Sequence, residues 1–137
     1  MKRRGKNPVA DFVLDASAVL AMIHGEPGED LVRRLSSGSF VSAVNVAEVG
    51  SRLADRGVSQ AEVRESIRAA GLQVAAFDAD LAYVSGSLRS ATRHLGLSLG
   101  DRACLALALQ RALPVLTADR AWSNLNVGVD VHLIRGN

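Results

Sequence analysis

Four carboxylates stand far apart in the chain, Asp15, Glu48, Asp101 and Asp119, yet each falls where an α/β chain turns from strand to helix or opens a helix. Gathered by folding, they form an acidic pocket that only protons or cations neutralise, because converging acids in a partly buried site repel one another strongly. Hard oxygen donors without accompanying His or Cys favour magnesium or manganese over zinc, and such ions support phosphodiester hydrolysis. Each acid also has an ordinary structural explanation. Asp15 and Asp119 are placed as helix N-caps, and Glu48 and Asp101 follow Asn45 and Ser98 at the three-residue spacing of a capping box. Singly, the structural explanation suffices; together, four acids at one site point to a cation.

The elements that position these acids are legible in outline. Residues 9–15 give a β-rich run ending at Asp15, followed by a helix to about Gly25 and a second over 29–35. Residues 39–42 form a strand, and Asn45 is expected to cap a helix reaching Arg56, with Gly57 as its stop. Ser59 and Glu62 match a capping box for a helix that Gly71 ends. A strand over 73–77 leads to Asp78, the cap of a long helix reaching about His94. Ser98 opens a helix over 99–112 that is apolar nearly all the way round and therefore expected to be buried on most sides. A strand over 114–117 leads to Asp119, a short helix covers 120–125, and a last strand covers 129–134. Strands alternating with helices imply an α/β fold whose parallel sheet is covered on both faces. Ligands of such sheets sit at the carboxyl ends of the strands, where strand order reverses.

The 137 residues are the size of one domain, and an apolar content of 48% drawn mostly from Ala, Val and Leu suits compact α/β packing. The single cysteine, Cys104, excludes an internal disulfide framework and lies in an apolar run as a small hydrophobe. No long apolar stretch of about 18 residues occurs, so neither a membrane span nor a signal peptide is expected, and the reading is a soluble, cytoplasmic protein. Of the 16 basic residues, Lys2, Arg3, Arg4 and Lys6 fall at the start. Residues 7–137 then carry 12 basic against 14 acidic residues, a net of −2. Residues 1–8 are thus expected to be a flexible basic tail. His24, His94 and His132 lie in separate elements without metal-ligand spacing, and Trp122 is expected to pack beneath Asp119 rather than to stack a base.

The segments Val13-Leu-Asp15-Ala-Ser17-Ala, Asn45-Val-Ala-Glu48-Val, Leu97-Ser-Leu-Gly-Asp101-Arg-Ala and Leu116-Thr117-Ala-Asp119-Arg-Ala-Trp122 resemble the four acidic motifs of PIN-domain ribonucleases. In particular they resemble those of the VapC toxins of bacterial toxin–antitoxin pairs. The likeness spans about residues 11–134, in order; Asp-x-Ser alone is weak, whereas the third and fourth motifs are more specific. The resemblance implies a PIN-like three-layer α/β/α sandwich with a central parallel sheet of about five strands, making residues 9–137 a single PIN domain. It also implies an endoribonuclease requiring Mg2+, with Mn2+ as substitute, that acts as the toxin of a type II toxin–antitoxin system, forms a homodimer and is blocked by a cognate VapB-type antitoxin. Carried onto this chain, Asp15 and Asp101 become the principal metal ligands, and Asp119 completes the site or holds a second ion. Glu48 ligates through water or orients the attacking hydroxide. Ser17 and Thr117 hold Asp15 and Asp119 or contact a phosphate, with local helix capping an equal reading. The exposed apolar face of the helices over 29–35 and 45–70 is the candidate seat for the antitoxin's hydrophobic helix, with internal packing as its alternative.

Three rivals compete with this reading. One is a non-catalytic RNA-binding module on the same fold, since a fold does not dictate activity. Another is a PIN-type nuclease outside any toxin–antitoxin pair, cutting RNA or DNA. A phosphatase of the doubly wound type is the third, but it wants an acid two residues after its nucleophilic aspartate, where this chain has Ser17. Neither a dinucleotide fingerprint nor a Walker phosphate loop is present.

Overall fold

The computed structural model describes residues 11–136, so the expected basic tail over 1–8 lies outside the described residues. Five short parallel strands form one sheet: β1 (Val13–Leu14), β2 (Phe40–Ser42), β3 (Gln73–Ala75), β4 (Val115–Thr117) and β5 (Val131–Leu133), in the order β3-β2-β1-β4-β5. The chain builds outward from β1 to β3 on one side and then crosses to β4 and β5 on the other. The switch point therefore lies between β1 and β4, whose register aligns Val13 with Val115 and Leu14 with Leu116.

Side-chain alternation along these strands divides the interior into two cores. Leu14, Val41 and Leu116 face one side, with α1 (Ala16–His24), α2 (Glu29–Ser36), α3 (Ala43–Ala54) and α4 (Gln60–Ala69) packed over them. Val13 and Val115 face the other, beneath α5 (Ala79–Ser87), α6 (Arg89–Thr92) and α7 (Leu99–Arg111). The three-layer α/β/α sandwich with a five-stranded parallel sheet is thus realised. All six residues from Ala103 to Ala108 in α7 are buried, which is why that helix carries no polar face there. Cys104 and Trp122 are fully buried in this second core.

Most helix boundaries follow the caps read from sequence. Asp15 accepts from Ala18, Asp78 accepts from Leu81, and Ser59 with Glu62 forms a reciprocal capping box. Two boundaries differ. Helix α3 is capped by Ser42, not Asn45: β2 runs straight into the helix, and the Ser42 hydroxyl takes the amide of Val44 at 3.1 Å. The expected long helix from Asp78 to His94 breaks into α5, α6 and a 3₁₀ turn over Arg93–Leu95. There the hydroxyls of Ser87 and Thr92 bond back to the carbonyls of Val84 and Leu88, both at 2.8 Å, and compete with the helical ladder.

Helix α7 ends on Ala112, a non-glycine residue in the left-handed region with φ 54° and ψ 46°. A Cβ there is strained, whereas glycine is not, and part of the gain is offset by glycine's freedom in the unfolded chain. Ala112→Gly should therefore raise stability by about 0.5–1 kcal/mol, read as a higher midpoint in urea unfolding.

Candidate active site

The strand-to-helix turn after β1 places Asp15 at the switch point, where it is 3% exposed. A buried carboxylate needs donors, and three converge on it. The amide of Ala18 donates to Oδ1 at 2.9 Å, the Ser17 hydroxyl donates to Oδ1 at 2.7 Å, and the Thr117 hydroxyl donates to Oδ2 at 2.6 Å from the end of β4. Both hydroxyls are oriented in turn by backbone amides of the same loop: Ala118 donates to Ser17 Oγ at 2.9 Å and Asp119 to Thr117 Oγ1 at 3.0 Å. Ser17 and Thr117 thus act chiefly on Asp15 in this arrangement. Thr117 also ties the backbone of Asp119 to it, while the Asp119 carboxylate caps the 3₁₀ helix over Arg120–Asn124 through the Ala121 amide at 3.0 Å.

Glu48 comes from the middle of α3 and Asp101 from the first turn of α7. Asp101 closes a capping box with Ser98, its Oδ2 accepting from the Ser98 amide at 3.0 Å. Glu48 is no cap partner. Its Oε1 accepts at 2.8 Å from the side-chain amide of Asn45, which also donates to the Gly100 carbonyl at 3.1 Å. All four acids line one cavity of about 600 Å³, joined by Ser17 and Ser98. Sequence reading did not single out Ser51, Arg52 and Asp55, which line the same cavity. Arg52 and Asp55 follow Glu48 by four and seven residues, so helical periodicity was the signal that could have found them. His24, His94 and His132 do not line it.

The electrostatics tie three of the acids, Asp15, Glu48 and Asp101, to common ground. Burial pushes the Asp15 carboxyl up to about 6, with its three hydrogen bonds opposing and the charge of Asp101 adding to the rise. Beneath the site, burial drives the Cys104 thiol well above its ordinary range, and the charges of Asp15, Asp101 and Glu48 push it further. These oxygen donors suit a hard divalent cation in type and charge. Each carboxylate is nonetheless engaged in its own hydrogen bonds, and among the described residues no three acid, His or Cys side chains close into a ligand cluster. The site is an acidic bowl rather than a finished cage.

The chain belongs to the PIN domain family, whose family model matches residues 12–127. No curated protein sequence matches it significantly. Among solved structures it is similar to a toxin–antitoxin complex from Klebsiella pneumoniae, at 16% identity and TM-score 0.66 over 88% of this chain and 99% of that one. It is also similar to DNA-bound VapBC from Salmonella typhimurium, at 17% identity and TM-score 0.64 over 92% and 99%. The Mycobacterium tuberculosis VapC20, a Sarcin-Ricin loop cleaving toxin, is similar at 15% identity and TM-score 0.63 over 88% and 99%. At these identities the likeness is one of fold. Among the described residues no helix is long and apolar enough to cross a membrane.

The raised Asp15 carboxyl makes stability depend on pH. Between its unfolded value near 3.9 and its folded value of about 6, the folded state binds more protons than the unfolded one, so stability falls as pH rises through that window. The loss above the window should be on the order of 2–3 kcal/mol in metal-free buffer. Asp15→Asn, which has no charge to bury, should be more stable than the parent at pH 8 and lose that advantage near pH 4; denaturant midpoints across pH test this.

Proposed function

We propose that this protein is a divalent-metal-dependent endoribonuclease, the toxin of a type II toxin–antitoxin pair. The observation that carries the reading is the meeting of Asp15, Glu48, Asp101 and Asp119 on one cavity at the sheet's switch point. A purely structural set of caps has no reason to share a pocket, since mutual repulsion destabilises it. Membership of the PIN domain family and the toxin–antitoxin neighbours support the same reading.

Asp15, Asp101 and Asp119 would hold Mg2+, or Mn2+ in its place, with Glu48 alongside. When bound, the ion supplies charge neutralisation at the phosphate and acidifies water. The chain's own contribution is orientation. Ser17 and Thr117 fix both oxygens of Asp15, Asn45 fixes one oxygen of Glu48, and Ser98 fixes one oxygen of Asp101. Arg52 brings a positive charge to the cavity wall, where a scissile phosphate needs one. In the proposed step water attacks phosphorus and the 3′-oxygen leaves, so the 2′-hydroxyl is unused and the products carry 5′-phosphate and 3′-hydroxyl ends.

The partner half of the proposal rests on a second cavity. Helices α3 and α4 and the edge strand β3 enclose an apolar groove of about 710 Å³, walled by Val46, Val58, Val63, Ile67, Leu72 and Val74. Helix α2 does not contribute to it. Ser51 lines both this groove and the acidic cavity, so a VapB-type antitoxin helix seated in the groove would lie beside the acids and could block them. A homodimer completes the proposal, supported by the exposed Tyr83 and Val84 on α5 and Leu99 on α7.

RNA incubated with the protein and Mg2+ should be cut to 5′-phosphate ends, and EDTA should abolish cutting. Products ending in 2′,3′-cyclic phosphate, or RNA binding without cleavage, would refute the mechanism. Asp101→Asn keeps an acceptor for the Ser98 amide and should fold normally yet lose at least about 100-fold in activity, as expected when a charged ligand is removed. Val74→Glu, at a half-exposed groove position, should leave cleavage intact while relieving inhibition by the neighbouring gene's product.

A further inference from the structure

Glu48 reaches the cavity from the body of α3, where a long flexible side chain has no intrinsic reason to hold one position. Two features of α7 and α3 restrain it. The first is Gly100, at the second position of α7. A Cβ built on Gly100 would collide with the Glu48 carboxylate, and its three nearest heavy atoms are the carboxylate carbon and both carboxylate oxygens of Glu48. Gly100 is buried and has no positive φ, so its backbone conformation does not call for glycine. What calls for glycine is the room taken by that carboxylate.

The second feature is Asn45, 1% exposed at the α3–α7 contact. Its Nδ2 carries two hydrogens and meets two acceptors, Glu48 Oε1 and the Gly100 carbonyl. Its Oδ1 is buried without a partner. A buried orphan acceptor is destabilising, and a side chain retained there is justified by what its donors do. Only an amide offers that donor pair at this size; an aspartate would face both acceptors with acceptors of its own.

From these contacts we infer that Gly100 and Asn45 are positioning residues, a socket and a strut that seat the Glu48 carboxylate at the first turn of α7, next to Asp101. The placement also brings the Glu48 charge to the positive end of that helix. The inference deepens the nuclease reading and rests on it for the catalytic consequence, but the seating of Glu48 holds without it.

Gly100→Ala isolates the effect. The atoms that must move lie at the end of a flexible side chain, so the variant should fold, with alanine's better helix preference offsetting part of the cost of the acceptor that Asn45 loses. In the metal-free full-length protein, the Asn45 side-chain NH2 signals in a 15N–1H spectrum should shift toward their positions in Glu48→Ala. With Mn2+ as probe, affinity and RNA cleavage should each fall by about tenfold or more in Gly100→Ala, and Asn45→Asp should reproduce the loss. Placed in a Glu48→Ala background, Gly100→Ala should change neither quantity by more than about twofold, because a residue that acts only through Glu48 has nothing left to act on. Unmoved Asn45 signals, or losses that multiply in the double variant, would overturn the inference. If the parent protein cuts no RNA, the nuclease reading fails while the NMR comparison still decides the seating of Glu48.

Discussion

The hydrogen bond from the Thr117 hydroxyl to Asp15 joins the carboxyl ends of β1 and β4 across the switch point of the sheet. An ionisable group buried among apolar side chains is tolerated only when donors satisfy it. Three donors converge here, two of them hydroxyls that are themselves fixed by the amides of Ala118 and Asp119. The β4 loop and the β1 turn are thereby built as one unit. Burial still holds the carboxyl near 6, so the arrangement retains an unmet demand for positive charge. A proton meets that demand below the raised pKa, and under the proposed function a divalent cation would meet it above.

The other acids are placed by different means. Asp101 and Asp119 stabilise helix starts, so each serves local structure and borders the cavity at once. Glu48 serves no cap; its carboxylate occupies the room left by Gly100 of α7 and accepts from Asn45 within its own helix. Caps and site are therefore not competing explanations of these residues. The same backbone amides that favour an acid at a helix start fix its orientation toward the crevice. Among the described residues the four carboxylates do not close into a ligand cluster: Asp101, Asp119 and Glu48 bond within their own segments, and Asp15 alone is also held from another strand.

The adjoining groove shows the same economy of parts. Helix α3 presents Glu48, Ser51 and Arg52 to the acidic cavity and Val46 and Ala54 to the apolar groove. One helix thus forms a wall of both, and anything binding along one face lies within reach of the other. The apolar residues of α3 and α4 read from sequence as an outward face are partly internal: Val49, Leu53, Val63 and Ile67 belong to the first core. What remains open is the strip between the two helices and the exposed Val74 of β3.

The order of strands and helices, the caps at Asp15, Ser59, Asp78 and Ser98, and the candidate acids were legible in the sequence, because periodicity, capping and turn chemistry act over a few residues. The cap of α3 lies three residues before the expected one, and the segment from Asp78 to about His94, expected as one helix, is broken because hydroxyl back-bonding at Ser87 and Thr92 competes with local helix propensity. Only the tertiary structure decided that Thr117 and Ser17 serve Asp15, that Asn45 braces Glu48 instead of capping a helix, and that Gly100 leaves room for a carboxylate from another helix. The Thr117–Asp15 contact spans 102 residues and exists because the chain crosses from β3 to β4 at the switch point. Burial and long-range contact follow from that crossing, which no local preference encodes.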